Sequence, residues 1–484
     1  MRSKDALLIL LLVSLVVASA PARAGWRALT QLQRQGARVS AMAVDLDSGH
    51  VLEQLNPSQR LTPASLTKLV TAAAALQSWP PDKMFHTRLV ADRPARDGTL
   101  TGNLTLIGAG DPSLDDDSLW QLAAQVRGAG IRLVAGRLII DPQPFGMVGC
   151  QARDRCKAAG RSDHAYNAPL AAFGVDFGTW CVRVRPTAAG KAAQVSGCGV
   201  SRLPIPVSGT IHTVPRGHRQ TFWVEQRTDA GGDSLQVGGN VPLGNDQVVY
   251  RAMSDPVRGA GLLLKETLRE IGVRVRGPVV VHYGPAPADP RVLGDVEGLM
   301  VREQLWRMLQ YSNNYIADVL TLDMAARPGQ SDTLAGASRR LSDFLAEAQR
   351  WDPPAVSAAP LYSGSGLTTD NRLSARDLVN LLIYQYHDTS RFPAFYGGLV
   401  VPRDAPFAFL RRGDAAWLDR VAIKTGTLDN PRSVCGIAGY LRKRNGGWIA
   451  FAAIVNGGPR FKHVPLDAAI GAERADVERL LRKY

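Results

Sequence analysis

The chain of 484 residues is 45% hydrophobic and 21% charged, an ordinary globular composition that excludes collagen-like, low-complexity and wholly disordered proteins. At roughly 150 residues per domain, its length predicts two to four domains. Its formal net charge of +14 suggests nucleic acid, an anionic membrane surface or an acidic substrate as a partner.

The N-terminal segment, residues 1–24, is typical of a secretory signal peptide. Arg2 and Lys4 precede an apolar run over 6–18, and a small-x-small sequence at 22–24 marks the cleavage site. The alternative is a retained membrane anchor, but a span needs roughly 20 apolar residues and this run is shorter. We therefore predict an exported, periplasmic protein, and export argues against nucleic acid as the partner of its basic surface.

The next part of the chain predicts a β-hairpin followed by a helix. Two strand-like runs, 39–45 and 51–55, are separated by a short turn. A helix is then predicted to begin at Thr62, with Thr as the N-cap and Pro63 at the first helical position. Four consecutive alanines, 72–75, indicate that this helix packs closely on several sides.

The character of the sequence changes over 93–290, where we predict a β-rich insertion of one or two subdomains. Short β-like runs alternate with Gly, Pro and Asp, and one segment, 118–128, is predicted to be helical. The β-like runs are 104–107, 138–140, 221–225 and 279–282.

The cysteines indicate disulfides within this insertion. Cys150, Cys156, Cys181 and Cys198 allow three pairings in an oxidising compartment, and we favour Cys150–Cys156 and Cys181–Cys198 because they close the shortest loops. A zinc site is the alternative, although no nearby His has a familiar ligand spacing. Cys435 lies in an apolar run and is predicted to be free and buried.

The last part of the chain, 291–484, predicts helices followed by an antiparallel strand set. The predicted helices are 301–310, 315–326, 338–349, 375–386 and 472–481, and the predicted strands are 421–427, 434–441 and 449–455. If the N-terminal hairpin joins these strands, both chain ends form one α+β domain around the insertion.

Three short motifs carry candidate chemistry, and the first is Ser65 with Lys68. The two residues are three apart on the predicted helix, so they share a face. A lysine amine can activate a serine nucleophile if burial or a second cation lowers its pKa. Taken alone, this S-x-x-K pattern more often marks a solvated Ser and Lys. This chain, however, has only one Lys that follows a Ser by three residues.

The second and third motifs are each equally weak in isolation. Ser312-Asn313-Asn314 separates two predicted helices and is typical either of a turn that lines a site or of an ordinary helix junction. Lys424-Thr425-Gly426-Thr427 ends a predicted strand. Such an edge can bind a carboxylate and align an extended peptide, and Gly426 would let a ligand approach the backbone.

Together, S-x-x-K, S-x-N and K-T-G in this order form the signature of active-site-serine penicillin-recognising enzymes. The chain resembles the low-molecular-mass class C penicillin-binding proteins, the D-alanyl-D-alanine carboxypeptidase/endopeptidases, over nearly its whole mature length. The resemblance implies an α+β fold of the serine β-lactamase/penicillin-binding transpeptidase type, formed by 25–92 and 291–484 and interrupted by 93–290. The long interval between Ser65 and Ser312 favours this family over class A β-lactamases.

Further stretches resemble the family, with two departures. Gly108 to Pro112 resembles its G-x-G-D-P segment, and Ala165 to Pro169 resembles a segment inside the insertion. Gly364 to Leu367 resembles part of its D-G-S-G-L-S-R stretch, but Ser363 and Thr369 replace the usual Asp and Arg. The departures put in doubt the usual contacts there.

The resemblance implies a role for each motif residue. Ser65 would attack the D-Ala-D-Ala carbonyl, with Lys68 as base and Ser312 relaying a proton to the leaving amine. Substrate binding is implied for Asn314 on the acyl side, for Lys424 and Thr425 at the terminal carboxylate, and for the backbone of Gly426 and Thr427. The N–H groups of Ser65 and Thr427 would form the oxyanion hole. The implied ligands are peptidoglycan stem peptides and β-lactams, without a metal or cofactor.

Several alternatives stay open. Tyr311-Ser312-Asn313 also fits Y-x-N, the motif of class C β-lactamases and related esterases, in which Tyr311 would relay the proton. A β-lactamase or esterase, or a non-catalytic cell-wall-binding protein, could share the fold. Oligomeric state is not predicted. The basic surplus is interpreted as favouring peripheral association with the anionic envelope.

Overall fold

The computed structural model describes residues 25–149, 155, 164–199, 201–282, 290–326, 333–349 and 358–484. The predicted signal peptide, 1–24, and the predicted pair Cys150–Cys156 lie outside the described residues. Within the described part of the chain, no helix has the length and apolar character needed to span a membrane.

The described helices include those predicted from 301 onward and several that were not predicted. In chain order they are α1 (Arg27–Arg34), α2 (Thr67–Ser78), α3 (Asp116–Gly128), α4 (Pro256–Glu270), α5 (Val301–Gln310), α6 (Asn314–Ala325), α7 (Leu334–Ala348), α8 (Ala375–Tyr386), α9 (Phe392–Gly397), α10 (Ala415–Arg420) and α11 (Leu466–Lys483).

The described strands belong to several sheets. They are β1 (Arg38–Asp45), β2 (Val51–Leu55), β3 (His86–Ala91), β4 (Ala95–Arg96), β5 (Thr99–Leu100), β6 (Leu104–Ile107), β7 (Leu133–Val134), β8 (Leu138–Asp141), β9 (Thr179–Arg185), β10 (Gln194–Gly197), β11 (Val207–Gly209), β12 (His212–Val214), β13 (Trp223–Asp229), β14 (Gly232–Gly238), β15 (Asn240–Pro242), β16 (Gln247–Ala252), β17 (Arg274–Val275), β18 (Val279–Val281), β19 (Arg291–Glu297), β20 (Val421–Leu428), β21 (Val434–Arg442) and β22 (Trp448–Asn456).

A five-stranded antiparallel sheet joins the two ends of the chain. Its order is β2-β1-β22-β21-β20, and β1 pairs with β22 from Arg38 opposite Asn456 to Asp45 opposite Ile449. Both the N-terminal hairpin and its union with the C-terminal strands are therefore confirmed, and the fold is the predicted α+β class.

Successive side chains of this sheet point to its opposite faces, and each face packs into a separate apolar core. On β1, Ala41 and Ala43 pack with α1 and α11, while Met42 and Val44 pack with α2 and the helices around it. Every residue from Thr67 to Leu76 on α2 is buried. The helix of small residues thus passes through the protein interior, as its alanines predicted, and is held on all sides.

The start of that helix differs from the prediction. A 3-10 turn, Ala64–Leu66, precedes α2, and no side chain caps either element. The predicted N-cap role of Thr62 is wrong, because its hydroxyl donates to the Thr369 carbonyl at 3.3 Å. Ser65 therefore lies in a tight turn rather than inside a regular helix.

The middle of the chain has its own sheets and its own apolar core. The largest sheet there has the order β18-β8-β6-β3-β19, so it includes strands on both sides of 93–290. The boundaries of the four predicted segments, 1–24, 25–92, 93–290 and 291–484, stay a prediction. Helix α4 was not predicted, although Asp255 caps it by accepting from the Arg258 N–H at 2.9 Å, and Pro256 occupies its first turn.

The described cysteines agree with the prediction. A disulfide joins Cys181 on β9 to Cys198, which directly follows β10, with 5.4 Å between their Cα atoms. Cys435 is a free, buried thiol on β21, and its sulfur lies 3.3 Å from a Glu473 carboxylate oxygen.

Candidate active site

The turn before α2 places Ser65 beside the amine of Lys68. Ser65 is the middle residue of the 3-10 turn, and Lys68 follows in the first turn of α2. The Lys68 Nζ lies 2.9 Å from the Ser65 Oγ. Ala64 adopts a left-handed φ of 48°, which costs about 1 kcal/mol or more for a residue with a Cβ. This strained residue directly precedes the candidate nucleophile.

The Lys68 amine has three oxygen neighbours. Besides Ser65, they are the Asn314 Oδ1 at 2.7 Å and the Ser365 carbonyl at 2.8 Å. A neutral amine has two N–H donors and one lone pair. If the two donors serve Asn314 and Ser365, the lone pair faces the Ser65 hydroxyl, which is the arrangement a general base needs.

The surroundings of Lys68 favour its neutral form. The side chain is fully buried, and desolvation together with the positive charges of Lys424 and Arg155 holds its pKa well below the usual 10.5. The carboxylate of Asp318 acts in the opposite direction. Burial is the largest of these causes, so the site favours the neutral amine more than water does.

The turn between α5 and α6 brings Ser312 to Lys424. Ser312 has a left-handed φ of 55°, and its Oγ lies 3.1 Å from the Lys424 Nζ. Asn313 caps α6 by accepting from the Ile316 N–H at 3.0 Å. The three polar residues of this motif thus have separate contacts: Ser312 with Lys424, Asn313 with the helix, and Asn314 with Lys68.

Tyr311, the alternative proton relay, points elsewhere. Its side chain is 57% exposed, and its ring packs edge-to-face on Trp306 with 5.8 Å between the ring centres. In this geometry Ser312, and not Tyr311, contacts a second motif.

The third motif lies on β20, an edge strand of the central sheet. Among the described residues, the outer edge of β20 is bridged only by Val400 opposite Ile423, just before Lys424. A Cβ added at Gly426 would lie 2.6 Å from the Pro63 carbonyl and 3.1 Å from the Ser65 nitrogen. The strand therefore packs directly against the turn of Ser65, and its edge beyond Ile423 can pair with an extended ligand.

Lys424 is a second buried amine. Its Nζ donates to the Thr425 carbonyl at 2.8 Å, and desolvation lowers its pKa to about 7. Thr425 is nearly buried, whereas Thr427 is exposed at the end of the motif. A bound carboxylate would favour the charged form of the Lys424 amine.

A buried carboxylate behind the site was not predicted from the sequence. Asp318, fully buried, accepts from the Ser365 N–H at 2.7 Å and from the Ser363 hydroxyl at 3.1 Å. The Arg155 guanidinium lies 3.4 Å from its other oxygen. Because Asp318 holds Ser365, whose carbonyl accepts from Lys68, it fixes one wall of the amine's surroundings. The sequence held one indication of this role: Asp318 follows Asn314 by four residues, so the two lie on the same face of α6.

The structure shows what Ser363 and Thr369, the two residues that depart from the family pattern, contact. Ser363 donates to Asp318, so an Asp at 363 would instead face that buried carboxylate. Thr369 contributes its backbone carbonyl, which accepts from Thr62 and from the guanidinium of Arg372. Arg372 therefore places a positive charge close to position 369.

The insertion also reaches the site. The Tyr166 carbonyl, in one of the family-like stretches, accepts from the Asn314 Nδ2 at 3.3 Å and from Arg155 at 3.0 Å. The Tyr315 hydroxyl donates to the Ala171 carbonyl at 2.9 Å. These hydrogen bonds hold the insertion against α6 beside Asn314. In the described part of the chain, no three His, Cys, Asp or Glu side chains are placed to hold a metal ion.

Comparisons with known proteins agree with this geometry. A family model described as the D-Ala-D-Ala carboxypeptidase 3 (S13) family matches residues 27–474. The chain is 29% identical to a D-alanyl-D-alanine carboxypeptidase of Actinomadura sp. over 444 residues, which cover 87% of this chain and 78% of that relative.

Solved structures show the same fold. The crystal structure of penicillin binding protein 4 from Haemophilus influenzae matches with a TM-score of 0.71 at 20% identity, over 94% of this chain and 99% of that one. A second structure of that protein, complexed with a β-lactam, matches with a TM-score of 0.69 at the same identity and coverage.

Proposed function

The chain belongs to the D-Ala-D-Ala carboxypeptidase 3 (S13) family, and on this premise we propose how its residues perform the reaction. The protein is a serine-type DD-carboxypeptidase/endopeptidase, which cleaves D-Ala-D-Ala and cross-link peptide bonds of peptidoglycan. The observation that carries the assignment of residues is the Lys68 amine, buried and 2.9 Å from the Ser65 hydroxyl.

Acylation would start with transfer of the Ser65 hydroxyl proton to the Lys68 lone pair. The Ser65 Oγ then bonds to the carbonyl carbon of the penultimate D-Ala, and the C=O electron pair moves to oxygen. The N–H groups of Ser65 and Thr427 would receive that oxyanion, each worth roughly 3–4 kcal/mol in such sites. The close approach of Gly426 to the Ser65 nitrogen supports this pairing of donors.

Collapse of the intermediate breaks the C–N bond and needs a proton on the leaving amine. Ser312 would supply it, since its hydroxyl contacts Lys424 at 3.1 Å and can be reprotonated from that amine. Lys68 would then release to solvent the proton that it took from Ser65, and Lys424 would take one up, which restores both amines. Water hydrolyses the acyl-enzyme with Lys68 again as base, and Lys68 passes the water's proton to the Ser65 oxygen as the ester bond breaks and the shortened stem peptide leaves.

Substrate binding is assigned to the open edge of β20 and to Asn314. Lys424 and Thr425 would bind the terminal carboxylate, and Gly426 and Thr427 would pair with the extended peptide. Asn314, anchored by Lys68 and by the Tyr166 carbonyl, would hold the acyl side.

β-Lactams are proposed as inhibitors that acylate Ser65, because they mimic D-Ala-D-Ala. We also propose a periplasmic location after removal of 1–24. That segment carries Arg2, Lys4, Arg23 and Asp5, so its loss lowers the formal net charge from +14 to +12, and we propose peripheral association with the anionic envelope through this remaining charge. These proposals follow from the family and from the basic composition.

The proposed function predicts two different outcomes with two substrates. The wild-type protein should release D-Ala repeatedly from a pentapeptide that ends in D-Ala-D-Ala, while a penicillin should give one rapid equivalent of acylation followed by slow release. D-Ala can be followed with a D-amino-acid oxidase assay, and penicillin loss by absorbance. Rapid penicillin turnover without D-Ala release would instead identify a β-lactamase.

Mutation of the two candidate proton relays should have effects of very different size. Ser312→Ala should lower kcat for D-Ala release by about 100-fold, in the range typical of a lost proton-transfer group. Tyr311→Phe should change it less than twofold, because more than half of the Tyr311 side chain is exposed and its ring packs on Trp306. Steady-state kinetics on the pentapeptide makes the comparison. A fully active Ser312→Ala enzyme together with an inactive Tyr311→Phe enzyme would assign the relay to Tyr311.

A further inference from the structure

A groove lies beside the Ser312 turn, between α5 and α9. Its cavity volume is about 430 Å³. One wall, α5, ends next to Tyr311 and Ser312. The chain that follows the other wall, α9, reaches β20 through the bridge of Val400 to Ile423, one residue before Lys424. The groove is therefore connected to the Ser312 turn through α5 and to the strand of Lys424 through this bridge, and its Trp306 contacts Tyr311.

The groove has an exposed aromatic wall. Trp306 lines it, with 43% of its surface exposed, and packs against the ring of Tyr311, which is 57% exposed. The pair forms a continuous aromatic surface that runs from the groove to the residue before Ser312. Large aromatic side chains left in solvent beside a site are typical of surfaces that bind a ligand.

The groove also carries a net positive charge, because two arginines and one glutamate line it. Arg302 and Arg307 line it, and neither guanidinium makes a hydrogen bond or ion pair with a described residue. Glu303 is the acidic residue of the lining. Its carboxylate accepts from the Met300 N–H at 3.1 Å, at the start of α5, and offsets one of the two positive charges. The two free guanidinium groups fit a ligand with carboxylates.

The connection of the groove to Ser312 and Lys424 indicates which part of a substrate could reach it. In the proposed function, Ser312 and Lys424 act on the leaving-group side. A single D-Ala, the leaving group of the carboxypeptidase reaction, is too small to extend past them. In cleavage of a cross-link, however, the leaving amine belongs to a second stem peptide, which continues beyond this point and bears carboxylates.

We propose that the groove binds the leaving stem peptide of a peptidoglycan cross-link. Its carboxylates would pair with Arg302 and Arg307, and its chain would lie on Trp306. This inference rests on the proposed function and deepens it, because it assigns residues that favour endopeptidase over carboxypeptidase substrates.

The test compares a monomeric pentapeptide with a cross-linked muropeptide dimer. For Trp306→Ala, and for the double variant Arg302→Ala/Arg307→Ala, kcat/KM on the dimer should fall about tenfold, as for the loss of a central interface residue. On the pentapeptide it should change less than twofold. Raising the ionic strength should lower the dimer-to-pentapeptide ratio of the wild type, and this dependence should be lost in the double variant.

Controls separate a groove effect from misfolding and from failure of the proposed function. Trp223→Ala removes an equally exposed tryptophan, 44%, from β13 of the insertion and should change neither substrate. Labelling with a fluorescent penicillin should stay at the wild-type rate in every groove variant. The inference is overturned if both substrates lose activity together, if neither does, or if the wild type cleaves the pentapeptide but not the dimer. A wild-type protein that neither labels nor releases D-Ala would overturn the proposed function itself.

Discussion

Ser65→Ala should abolish both D-Ala release and covalent labelling by penicillin. The hydroxyl is the atom that bonds to the substrate in our assignment, so the expected fall in kcat is on the order of 10⁴-fold or more, as for other nucleophilic serines. The remaining site would still contain Lys68, Lys424 and the proposed N–H donors. The variant should therefore still bind the pentapeptide. Fluorescent penicillin labelling and a D-Ala assay measure the two losses.

Ser78→Ala is the matched control for this substitution. Ser78 lies at the end of the same helix, α2. Among the described residues, its hydroxyl donates only to the Ala74 carbonyl within the helix, at 2.9 Å. We expect full activity from it. If Ser65→Ala kept measurable labelling while Ser78→Ala behaved as the wild type, the nucleophile would have to be another residue.

Lys68→Met should lower the acylation rate by about 10³-fold, within the range measured for general-base groups. Methionine is unbranched, apolar and only one atom shorter than lysine, but it has no basic nitrogen. Lys68→Arg should be equally impaired, because a guanidinium is always positively charged and cannot accept a proton. Stopped-flow acylation by a chromogenic β-lactam measures both rates. An active Lys68→Arg enzyme would show that charge, not basicity, is what the site needs.

The same reasoning predicts how wild-type acylation depends on pH. Below its pKa the Lys68 amine is protonated and has no lone pair for the Ser65 proton, so the rate should fall as the pH is lowered. Burial, Lys424 and Arg155 hold that pKa well below 10.5, and Asp318 opposes them. The plateau should therefore extend to pH values at which an exposed lysine would already be charged. An acidic limb that survives Lys68→Met would assign the titration to another group.

Patterns local in sequence predicted much of the fold. The helix 375–386 coincides with α8, since Ser374 and Asp377 form a capping box around its start. The strand-like runs 39–45 and 51–55 are confirmed as strands that pair in a hairpin. The motif order was informative because Ser65, Ser312 and Lys424 carry chemistry that few other residues can replace.

What escaped prediction depends on contacts between distant parts of the chain. Asp318 owes its role to Arg155 and Ser365, far away in sequence, and no local pattern reports such partners. The expected cap at Thr62 failed for the same reason, because the hydroxyl found an acceptor at Thr369 instead. The groove beside Ser312 was not predicted either, because it forms where α5 and α9 meet and these helices are far apart in the sequence.

The central claim, that Ser65 is the acylated nucleophile, is tested most directly by mapping the adduct of the wild-type protein with penicillin. Trypsin releases residues 61–68 as one peptide, in which Ser65 is the only serine. Mass spectrometry should find one penicillin mass added to the intact protein and should place it, by fragmentation, on Ser65. An adduct on the peptide that contains Ser312, or no adduct at all, would contradict the assignment.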